Sequence, residues 1–141
     1  MQLRLGRNED DVSAAAQIDA SVSGTHARAS YLRKISERGG LTLAVDRNRI
    51  VGFCCLDDNY FFERAFISLL IVDAKFRRRG IGRTLLEAAA LHKPEIWTST
   101  NRSNSEMRSL LDSSGWKFCV EIDGLDDDDP EMIFKKLQRT Q

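Results

Sequence analysis

The stretch Arg77-Arg78-Arg79-Gly80-Ile81-Gly82-Arg83-Thr84-Leu85-Leu86 decides the fold of this sequence. It follows an apolar run over residues 66–72 and leads into a helical pattern over residues 84–91. A strand, a basic glycine-rich turn and a helix in this order place bare backbone N–H groups and a positive dipole end where a phosphate can bind. Glycines let a ligand approach the backbone closely, and arginines add charge-assisted donors. The stretch therefore predicts a phosphate-binding loop.

The spacing of the glycines separates this loop from two other phosphate-binding loops. A P-loop requires two glycines with four residues between them and then Lys-Ser or Lys-Thr, and no such run occurs in the chain. A dinucleotide fingerprint requires a third glycine where Leu85 stands, and no acidic ribose partner is recognisable downstream. The pattern that remains is Arg77-x-x-Gly80-x-Gly82 after a strand. A basic turn that only caps an exposed helix stays open as an alternative.

Composition excludes several classes of protein. The 141 residues suit a single domain, and 21 basic residues balance 21 acidic ones. We therefore expect no overall field that favours nucleic acid or an anionic membrane. No apolar run approaches the roughly 20 residues of a membrane span. The segment Met1–Leu5 lacks the basic stretch and long apolar core of a signal peptide.

Three cysteines occur without the spacing of a metal site. Cys54 and Cys55 are adjacent in an apolar strand pattern, and Cys119 lies in a later strand pattern. There is no CxxC motif and no Cys/His ligand cluster in the sequence. We expect buried, reduced thiols, no metal and a cytoplasmic location. The pair Trp97 and Trp116 is expected in the core together with Cys119.

Hydrophobic periodicity and turn signals predict an α+β fold in one domain, residues 1–141. Its sheet is mixed and mostly antiparallel, with helices on both faces and one parallel strand–helix–strand crossover. The predicted helices cover a segment after the cap Asn8, then residues 29–37, 84–91 and a segment opened by a capping box at 103–106. Residues 21–25 are predicted as loop. The predicted strands are 3–5, 41–45, 50–56, 61–72, 96–100, 116–122 and 132–136, with a hairpin turn at 46–49.

Three motifs in the predicted order of elements resemble the GNAT superfamily of N-acetyltransferases. The loop Arg77-x-x-Gly80-x-Gly82 resembles the acetyl-coenzyme A loop of that family, and residues 70–77 resemble its fourth strand. The run Asn104-x-x-Met107-x-x-Leu110-Leu111-x-x-x-Gly115-Trp116 is similar to its second signature. Residues 122–132 are similar to the tail of a small, single-domain bacterial subgroup. The resemblance covers nearly the whole chain.

The resemblance implies acetyl-coenzyme A (acetyl-CoA) as co-substrate and places its contacts residue by residue. The pantetheine arm would lie beside Leu70, Ile71 and Val72 like an added strand. Thr84 could add a hydroxyl donor, and Asn104 would reach the cofactor from the next helix. A plain N-cap is an equally good interpretation of Asn104. The backbone N–H groups that would cradle the pyrophosphate belong to Arg77, Arg78, Arg79, Gly80, Ile81, Gly82 and Arg83.

The implied reaction is direct attack of a primary amine on the thioester while both substrates are bound. Backbone N–H groups of residues 70–72 would polarise the carbonyl. Glu63 is the best candidate for the base, acting directly or through water, although a solvated charge beside Arg64 is the simpler interpretation. Ser68, expected on the same sheet face as Leu70, is a second polar candidate. Leu111 stands where the family commonly has a tyrosine, so no catalytic acid carries over.

The acceptor is less defined than the cofactor. The acidic loop Asp126–Asp129 could attract a cationic amine such as a polyamine, an aminoglycoside or a lysine-bearing peptide, and a solvated turn is the alternative interpretation. Two other functions stay open: a non-catalytic acyl-CoA sensor, which Leu111 makes plausible, and a small interaction domain without a ligand. A homodimer is an expectation that comes from the resemblance alone.

Overall fold

The computed structural model describes residues 1–138, so the last three residues of the predicted domain lie outside it. The strands are β1 (Gln2–Leu5), β2 (Leu41–Asp46), β3 (Arg49–Phe61), β4 (Arg64–Val72), β5 (Glu95–Asn101), β6 (Lys117–Ile122) and β7 (Glu131–Leu137). The α-helices are α1 (Glu9–Ser23), α2 (Ala29–Glu37), α3 (Ile81–Ala90) and α4 (Ser105–Ser113). A 3₁₀ turn, Ala74–Phe76, leads from β4 towards α3.

The strands form one seven-stranded sheet in the order β1-β2-β3-β4-β5-β7-β6. All neighbours are antiparallel except β4 and β5, which α3 connects as the predicted parallel crossover. These two strands pair only through Phe66 with Trp97 and Ile67 with Thr98. Beyond that point the parallel pairing ends, and a cleft opens between the second half of β4 and β5. The predicted fold class is confirmed.

Helices cover both faces of the sheet, each over its own apolar cluster. On one face, α1 and α2 bury Leu32 and Ile35 against Phe53 of β3. On the other face, α3 and α4 bury Leu85 and Leu111 in a cluster that also holds residues of β5 and β7. Burial of this kind is the main favourable term for a domain of this size. The cleft therefore lies between elements whose positions are fixed by two separate cores.

A carboxylate ties α1 to the edge of the sheet. Asp11 is buried and accepts hydrogen bonds from both Nη atoms of Arg4, each at 2.8 Å, and from the backbone N–H of Arg7. The Arg4 guanidinium, which donates to the carboxylate, lowers the pKa of Asp11 to about 2. Asn8 caps the helix as predicted, since its side-chain oxygen accepts from the Asp11 N–H. The start of α1 is thus fixed by side chains that the strand and the cap supply.

The predicted long strand over residues 61–72 is wrong. β3 continues to Phe61, the chain reverses at Phe62 and Glu63, and β4 starts at Arg64. Both turn residues have positive φ, 51° and 58°, as a type I′ hairpin turn requires. Such turns favour Asn-Gly, so the pair Phe-Glu carried no turn signal in the sequence. The predicted hairpin at 46–49 is confirmed, with positive φ at Arg47 and Asn48.

Several element boundaries also differ from the prediction. Residues 21–23, predicted as loop, belong to α1, which ends at Gly24 in the left-handed conformation. α3 starts at Ile81 rather than at residue 84, because Gly80 at φ 79° serves as its N-cap. The N-cap of α4 is Asn104, which confirms the cap interpretation of that residue, and not Ser103 of the predicted capping box.

The cysteines and tryptophans are only partly core residues. Cys54 and Cys55 are buried free thiols, and burial raises the pKa of Cys54 to about 12. Cys119 is free but exposed, like its neighbours on the edge strand β6, in which it is the extra residue of a β-bulge. Trp116 is buried, whereas Trp97 is half-buried. Over residues 1–138, the helices are all too short or too polar to span a membrane.

Candidate active site

The divergence of β4 from β5 creates a cleft of about 1120 Å³. One end is lined by the start of α3 and the start of α4, including Gly82 and Asn104. Leu125 of the β6–β7 loop also lines the cleft, and the other end is lined by Arg28 and Tyr60, from the α1–α2 segment and β3. The side of β4 runs between them. The cleft can therefore hold two molecules end to end, one at each end of β4.

The edge of β4 that faces the cleft offers backbone donors and acceptors. The Asp73 N–H donates to the Val51 carbonyl at 2.8 Å. This bond shows that the backbone of residue 73 faces β3. Because backbone groups alternate along a strand, Ile71 also bonds to β3, and the N–H and C=O groups of Leu70 and Val72 point the other way. The Val72 carbonyl accepts a long hydrogen bond from Arg77 Nε at 3.4 Å, which a bound chain would replace. An extended chain that entered the cleft could pair with these groups as an added strand.

The start of α3 presents unpaired N–H groups to the same cleft. Gly80 has no side chain to cap the helix, and the first intrahelical bond is donated by Thr84 to the Gly80 carbonyl. The N–H groups of Ile81, Gly82 and Arg83 therefore have no intrahelical partner. A Cβ atom at Gly82 would lie 3.7 Å from Leu110 Cδ2 and 3.8 Å from Val72 Cγ2, which is ordinary contact. The protein therefore leaves space for a Cβ atom at residue 82. Because glycine has none, a bound group can approach the backbone N–H groups there.

The arginines of the loop do not act as one cluster. Arg77, Arg78 and Arg83 line the cleft. Arg79 does not, because its guanidinium lies over the Phe76 ring, 5.0 Å from the centroid. Arg83 donates to the hydroxyl groups of two serines at the end of α4, which holds its side chain beside the helix start. The positive charge nearest the open N–H groups thus comes from three of the four predicted side chains.

The two other predicted donors differ in what they can offer. The Thr84 hydroxyl donates to the Gly80 carbonyl at 2.8 Å, and Thr84 does not line the cleft. Asn104 lines the cleft, and its Oδ1 caps α4 by accepting from the Met107 N–H at 3.2 Å. Its Nδ2 group makes no side-chain bond within residues 1–138. Asn104 can therefore cap the helix and donate to a ligand at the same time.

The position that commonly holds a tyrosine does not reach the cleft. Leu111 is fully buried in the core, and the cleft is lined by its neighbour Leu110. A tyrosine at residue 111 would have to displace packed side chains. α4 therefore brings no acidic hydroxyl from this position to the cleft.

Glu63 lies away from the cleft. It is the second residue of the hairpin turn between β3 and β4, it is exposed, and it does not line the cleft. The sequence suggested a place beside the central strand because residues 61–72 were expected to form a single strand. The turn instead puts Glu63 at the tip of the β3–β4 hairpin. We therefore assign Glu63 no role in the reaction.

Ser68 lies in the cleft, but on the face opposite to the predicted one. Cys55 pairs with Leu69 and Leu56 pairs with Ile67, so Ser68 is the extra residue of a β-bulge in β4. The bulge shifts the alternation of side chains by one residue. Leu70 packs with the α3 cluster, whereas Ser68 contacts Tyr31 of α2. The expectation that Ser68 and Leu70 share a face is wrong for this reason.

Ser68 is the outer member of a polar chain that sequence reasoning missed. Its Oγ lies 2.5 Å from the Tyr31 hydroxyl, which donates to Asp57 Oδ2 at 2.7 Å. Asp57 Oδ1 accepts from the Asn59 N–H at 2.9 Å. The carboxylate is buried, and burial raises the pKa of Tyr31, which therefore stays a neutral phenol. Asp57, the first of three polar residues after the apolar run 50–56 of β3, was the only sequence signal for this set of hydrogen bonds.

Aromatic rings form the wall beside Ser68. Tyr60 stacks on Phe66 with ring centroids 5.1 Å apart, and Phe61 lies 5.2 Å from the same ring. Tyr31 meets Tyr60 edge to face at 6.4 Å. The exposed side chains of Val22 and Leu125 extend this surface at the cleft mouth. This end of the cleft suits an apolar or aromatic body.

The acidic loop is partly structural. Asp129 accepts from the N–H and the hydroxyl of Ser103, and the hydroxyl bond lowers the pKa of Asp129. Asp126 accepts from the side chain of Asn101. None of the residues 126–129 lines the cleft, although the flanking Leu125 does. Of the four aspartates in the loop, Asp127 and Asp128 make no side-chain hydrogen bond to another described residue.

Comparisons with known proteins agree with this geometry. Residues 10–115 match the model of the acetyltransferase (GNAT) family. An acetyltransferase of the GNAT family from Bacillus cereus is 31% identical, with a TM-score of 0.91 over 99% of this chain and 98% of that one. The structure of yncA from Salmonella typhimurium, with its cofactor acetyl-CoA, is 15% identical, with a TM-score of 0.80 over 100% and 95%. A ribosomal-protein-alanine N-acetyltransferase from Brucella melitensis is 21% identical, with a TM-score of 0.76 over 98% and 100%.

No curated protein gave a significant match. The family model covers most of the chain, and the Bacillus cereus structure resembles it over nearly its full length. The predicted resemblance is confirmed, and with it the prediction that the protein is an enzyme. The chain belongs to the acetyltransferase (GNAT) family.

Proposed function

We propose that the protein transfers the acetyl group of acetyl-CoA to the primary amine of a small molecule with an aromatic or apolar body. The observation that carries this proposal is the continuity of backbone donors in the cleft. The outward groups of Leu70 and Val72 on β4 lead towards the open N–H groups at the start of α3. That path suits a molecule with amides at one end and a pyrophosphate at the other.

Acetyl-CoA is the co-substrate in this proposal, and each part of it has a partner. The amides of pantetheine pair with the free edge of β4 at Leu70 and Val72. The pyrophosphate binds the N–H groups of residues 81–83 at the positive end of the helix dipole. Arg77 and Arg78 add charge-assisted hydrogen bonds, and Asn104 donates through its side-chain amide. Thr84 and Arg79 contribute to the loop structure rather than to the contact.

The reaction is direct acyl transfer with both substrates in the cleft. The amine nitrogen attacks the thioester carbonyl, the C–N bond forms, the C–S bond breaks, and sulfur leaves with the electron pair. Outward N–H groups of β4 stabilise the charge that develops on the carbonyl oxygen. Because a model thiol has a pKa of about 8.5, the thiolate can leave near neutral pH without a tyrosine at residue 111. The buried Leu111 is therefore compatible with turnover.

The aromatic wall supports an acceptor different from the one the acidic loop suggested. Tyr60, Phe61 and Phe66 flank the place where the amine must sit, next to Ser68. Rings of this kind stack on an aromatic body and also attract a nearby ammonium. Two of the four aspartates of the loop are engaged in structural hydrogen bonds. We therefore favour an arylalkylamine over a polyamine or an aminoglycoside.

A non-catalytic acyl-CoA sensor is the second candidate function. It is supported by one observation, the buried leucine at residue 111. A sensor would bind acetyl-CoA and release no thiol with any amine. A cytoplasmic location and a homodimer stay predictions of the same kind, supported by the composition and by the family resemblance.

The experiment that tests the proposal measures release of free thiol from acetyl-CoA with tyramine and with spermidine. We expect turnover with tyramine and a specificity constant for tyramine at least about ten-fold above that for spermidine, a difference of one well-placed aromatic contact. Binding of acetyl-CoA without turnover would favour the sensor. Turnover with spermidine alone would restore the acidic loop as the acceptor determinant.

A further inference from the structure

We propose that Ser68, Tyr31 and Asp57 form a proton-accepting chain that orients the acceptor amine and removes one of its protons. This inference rests on the proposed acetyl transfer and deepens it by naming the groups that act on the amine. Ser68 would contact the substrate. Tyr31 and Asp57 would be positioning residues that act through it.

The hydrogen-bond directions in this chain are fixed from its inner end. Both carboxylate oxygens of Asp57 act as acceptors, one from the Asn59 N–H and one from the Tyr31 hydroxyl. A phenol has a single proton, so Tyr31 cannot also donate to Ser68. The 2.5 Å contact must then be a bond that Ser68 donates to the Tyr31 oxygen. The Ser68 oxygen is left with lone pairs only, which can accept an N–H group from the cleft.

The position of Ser68 follows from the bulge in β4. A regular strand would place this side chain on the α3 face with Leu70, away from Tyr31. The extra residue turns it towards α2 and towards the aromatic wall, while it still lines the cleft. It lies two residues before Leu70, whose outward N–H group faces the cleft. An amine held by Ser68 would therefore lie beside the segment that is proposed to bind the thioester.

The charge at the inner end of the chain has no cationic partner. Asp57 makes no ion pair within residues 1–138, although it is buried. Arg28, which also lines the cleft, is held by Asp19 through an Nε–Oδ2 bond of 3.0 Å and an Nη2–Oδ1 bond of 2.5 Å. The Cys55 thiol, also close, is buried, and its pKa is raised mainly by burial. The only polar partners of the Asp57 carboxylate within the described residues are therefore the Tyr31 hydroxyl and the Asn59 N–H, so the hydrogen-bonded path from this carboxylate leads through Tyr31 to Ser68.

The proton balance of this step is complete. An ammonium substrate gives one proton to Ser68, which passes its own to Tyr31, and Tyr31 passes its own to Asp57. The neutral amine attacks the thioester, and its second proton ends on the sulfur that leaves. Asp57 then returns its proton to solvent. The sum is an amide, free coenzyme A and one released proton.

Three substitutions test the chain with acetyl-CoA and tyramine. Ser68→Ala and Tyr31→Phe should each lower kcat about 100-fold, the lower end of what a positioned acid–base group contributes. The double variant should be no slower than either single variant, because both remove the same path. Asp57→Asn keeps an oxygen that accepts from Tyr31 but removes the proton acceptor. It should therefore lower kcat while the KM for tyramine changes little.

Asp58→Asn is the matched control, because it removes one carboxylate from the next residue of β3. Asp58 is exposed, makes no side-chain hydrogen bond within the described part of the chain and does not line the cleft. Its kcat should equal that of the parent. Thermal unfolding and the Kd for acetyl-CoA identify any variant whose fold or cofactor site has changed. If Tyr31→Phe or Asp57→Asn disturbs the fold, Ser68→Ala still tests the chain.

The outcomes separate this inference from the proposed function. A parent protein that releases no thiol with any amine would overturn acetyl transfer and, with it, the chain. An active parent with a Ser68→Ala variant within two-fold of its kcat would overturn the chain alone. If the double variant lost kcat by the product of the two single losses, this would also contradict the chain, because such a result means that Ser68 and Tyr31 act independently. Equal losses in the single and double variants, with normal cofactor affinity, would support it.

Discussion

The two ends of the cleft are built in different ways. The end that is proposed to bind the pyrophosphate, called the phosphate end here, consists of contiguous residues from Arg77 to Arg83 and offers backbone N–H groups at the start of α3. The acceptor end draws Arg28 from the α1–α2 segment, Tyr60 from β3 and Ser68 from a bulge in β4, and Tyr31 of α2 contacts Ser68. The first end depends on a local turn. The second depends on the packing of helices on a sheet.

This difference has consequences for substitution. Backbone donors persist whatever the side chain, so the phosphate end is damaged chiefly by a group that occupies the ligand's place. Side-chain donors and acceptors that are buried fail when one partner is removed, because the other is left unpaired. The acceptor end should therefore be sensitive to remote changes in α1 and α2. The phosphate end should not.

The largest effect is expected for the ion pair that holds the α1–α2 connection. Asp19 is 1% exposed, and both of its oxygens are bound by Arg28. Arg28→Met keeps most of the aliphatic stem and leaves the carboxylate buried without a partner. We expect a loss of about 3 kcal/mol in the free energy of unfolding, the lower end for a broken buried pair, because the Arg28 side chain is 38% exposed.

Arg33→Met is the matched control for that change. Arg33 pairs with Glu9 through two hydrogen bonds, but both side chains are exposed. Its removal should barely change the free energy of unfolding in urea, because exposed pairs contribute little. In Arg28→Met protein that remains folded, tyramine turnover should fall while the Kd for acetyl-CoA stays constant. If Arg28→Met and Arg33→Met lowered the free energy of unfolding equally, the proposed dependence of the acceptor end on this buried ion pair would be contradicted.

The same contrast explains how far the sequence predicts the molecule. The glycine-rich turn before α3, the crossover and most elements were predictable, because glycine spacing, periodicity and the cap at Asn104 are local signals. The turn at Phe62–Glu63 was not, since neither residue is typical of a type I′ turn. That error placed Glu63 near the chemistry. A bulge has no signature in a single strand, so the orientation of Ser68 was out of reach as well.

The side chains at the acceptor end were missed for a related reason. Tyr31 and Asp57 are 26 residues apart, and only the packing of α2 on β3 brings them together. Long-range contacts of this kind follow from the fold and not from any motif. Asn104 is the opposite case, because it caps the helix through a residue only three positions later, and such a local signal can be recognised in the sequence. Its second role, as a donor to the cofactor, stays a proposal.

The next effect concerns the phosphate end. Gly82→Asp places a carboxylate where the pyrophosphate is proposed to bind, and a Cβ atom at residue 82 makes only ordinary contacts with the protein. We expect the affinity for acetyl-CoA to fall more than ten-fold, or about 1.4 kcal/mol, which exceeds the 0.3–1 kcal/mol of a helix-dipole term alone. Calorimetry of acetyl-CoA binding measures this loss.

Ala88→Asp is the control for the charge itself. Residue 88 is exposed in the last turns of the same helix, so the variant adds one carboxylate far from the open N–H groups. Its affinity for acetyl-CoA should match that of the parent. A folded Gly82→Asp protein that binds acetyl-CoA as tightly as the parent would show that the loop is only a helix cap.

The smallest effect is expected in the acidic loop, and it sharpens the assignment of the acceptor end. Asp127→Asn combined with Asp128→Asn removes two charges, preserves size and leaves the structural bonds of Asp126 and Asp129 in place. If the loop steers a polycation, the specificity constant for spermidine should fall and its dependence on salt should flatten, because the attraction acts over a Debye length of about 8 Å. If the aromatic wall selects the acceptor, the constant for tyramine should change by less than about two-fold at low salt, as expected for exposed charges. We expect the second result, since neither residue lines the cleft and the wall beside Ser68 does. A selective loss of spermidine turnover would instead assign recognition to the loop and reduce the aromatic wall to packing.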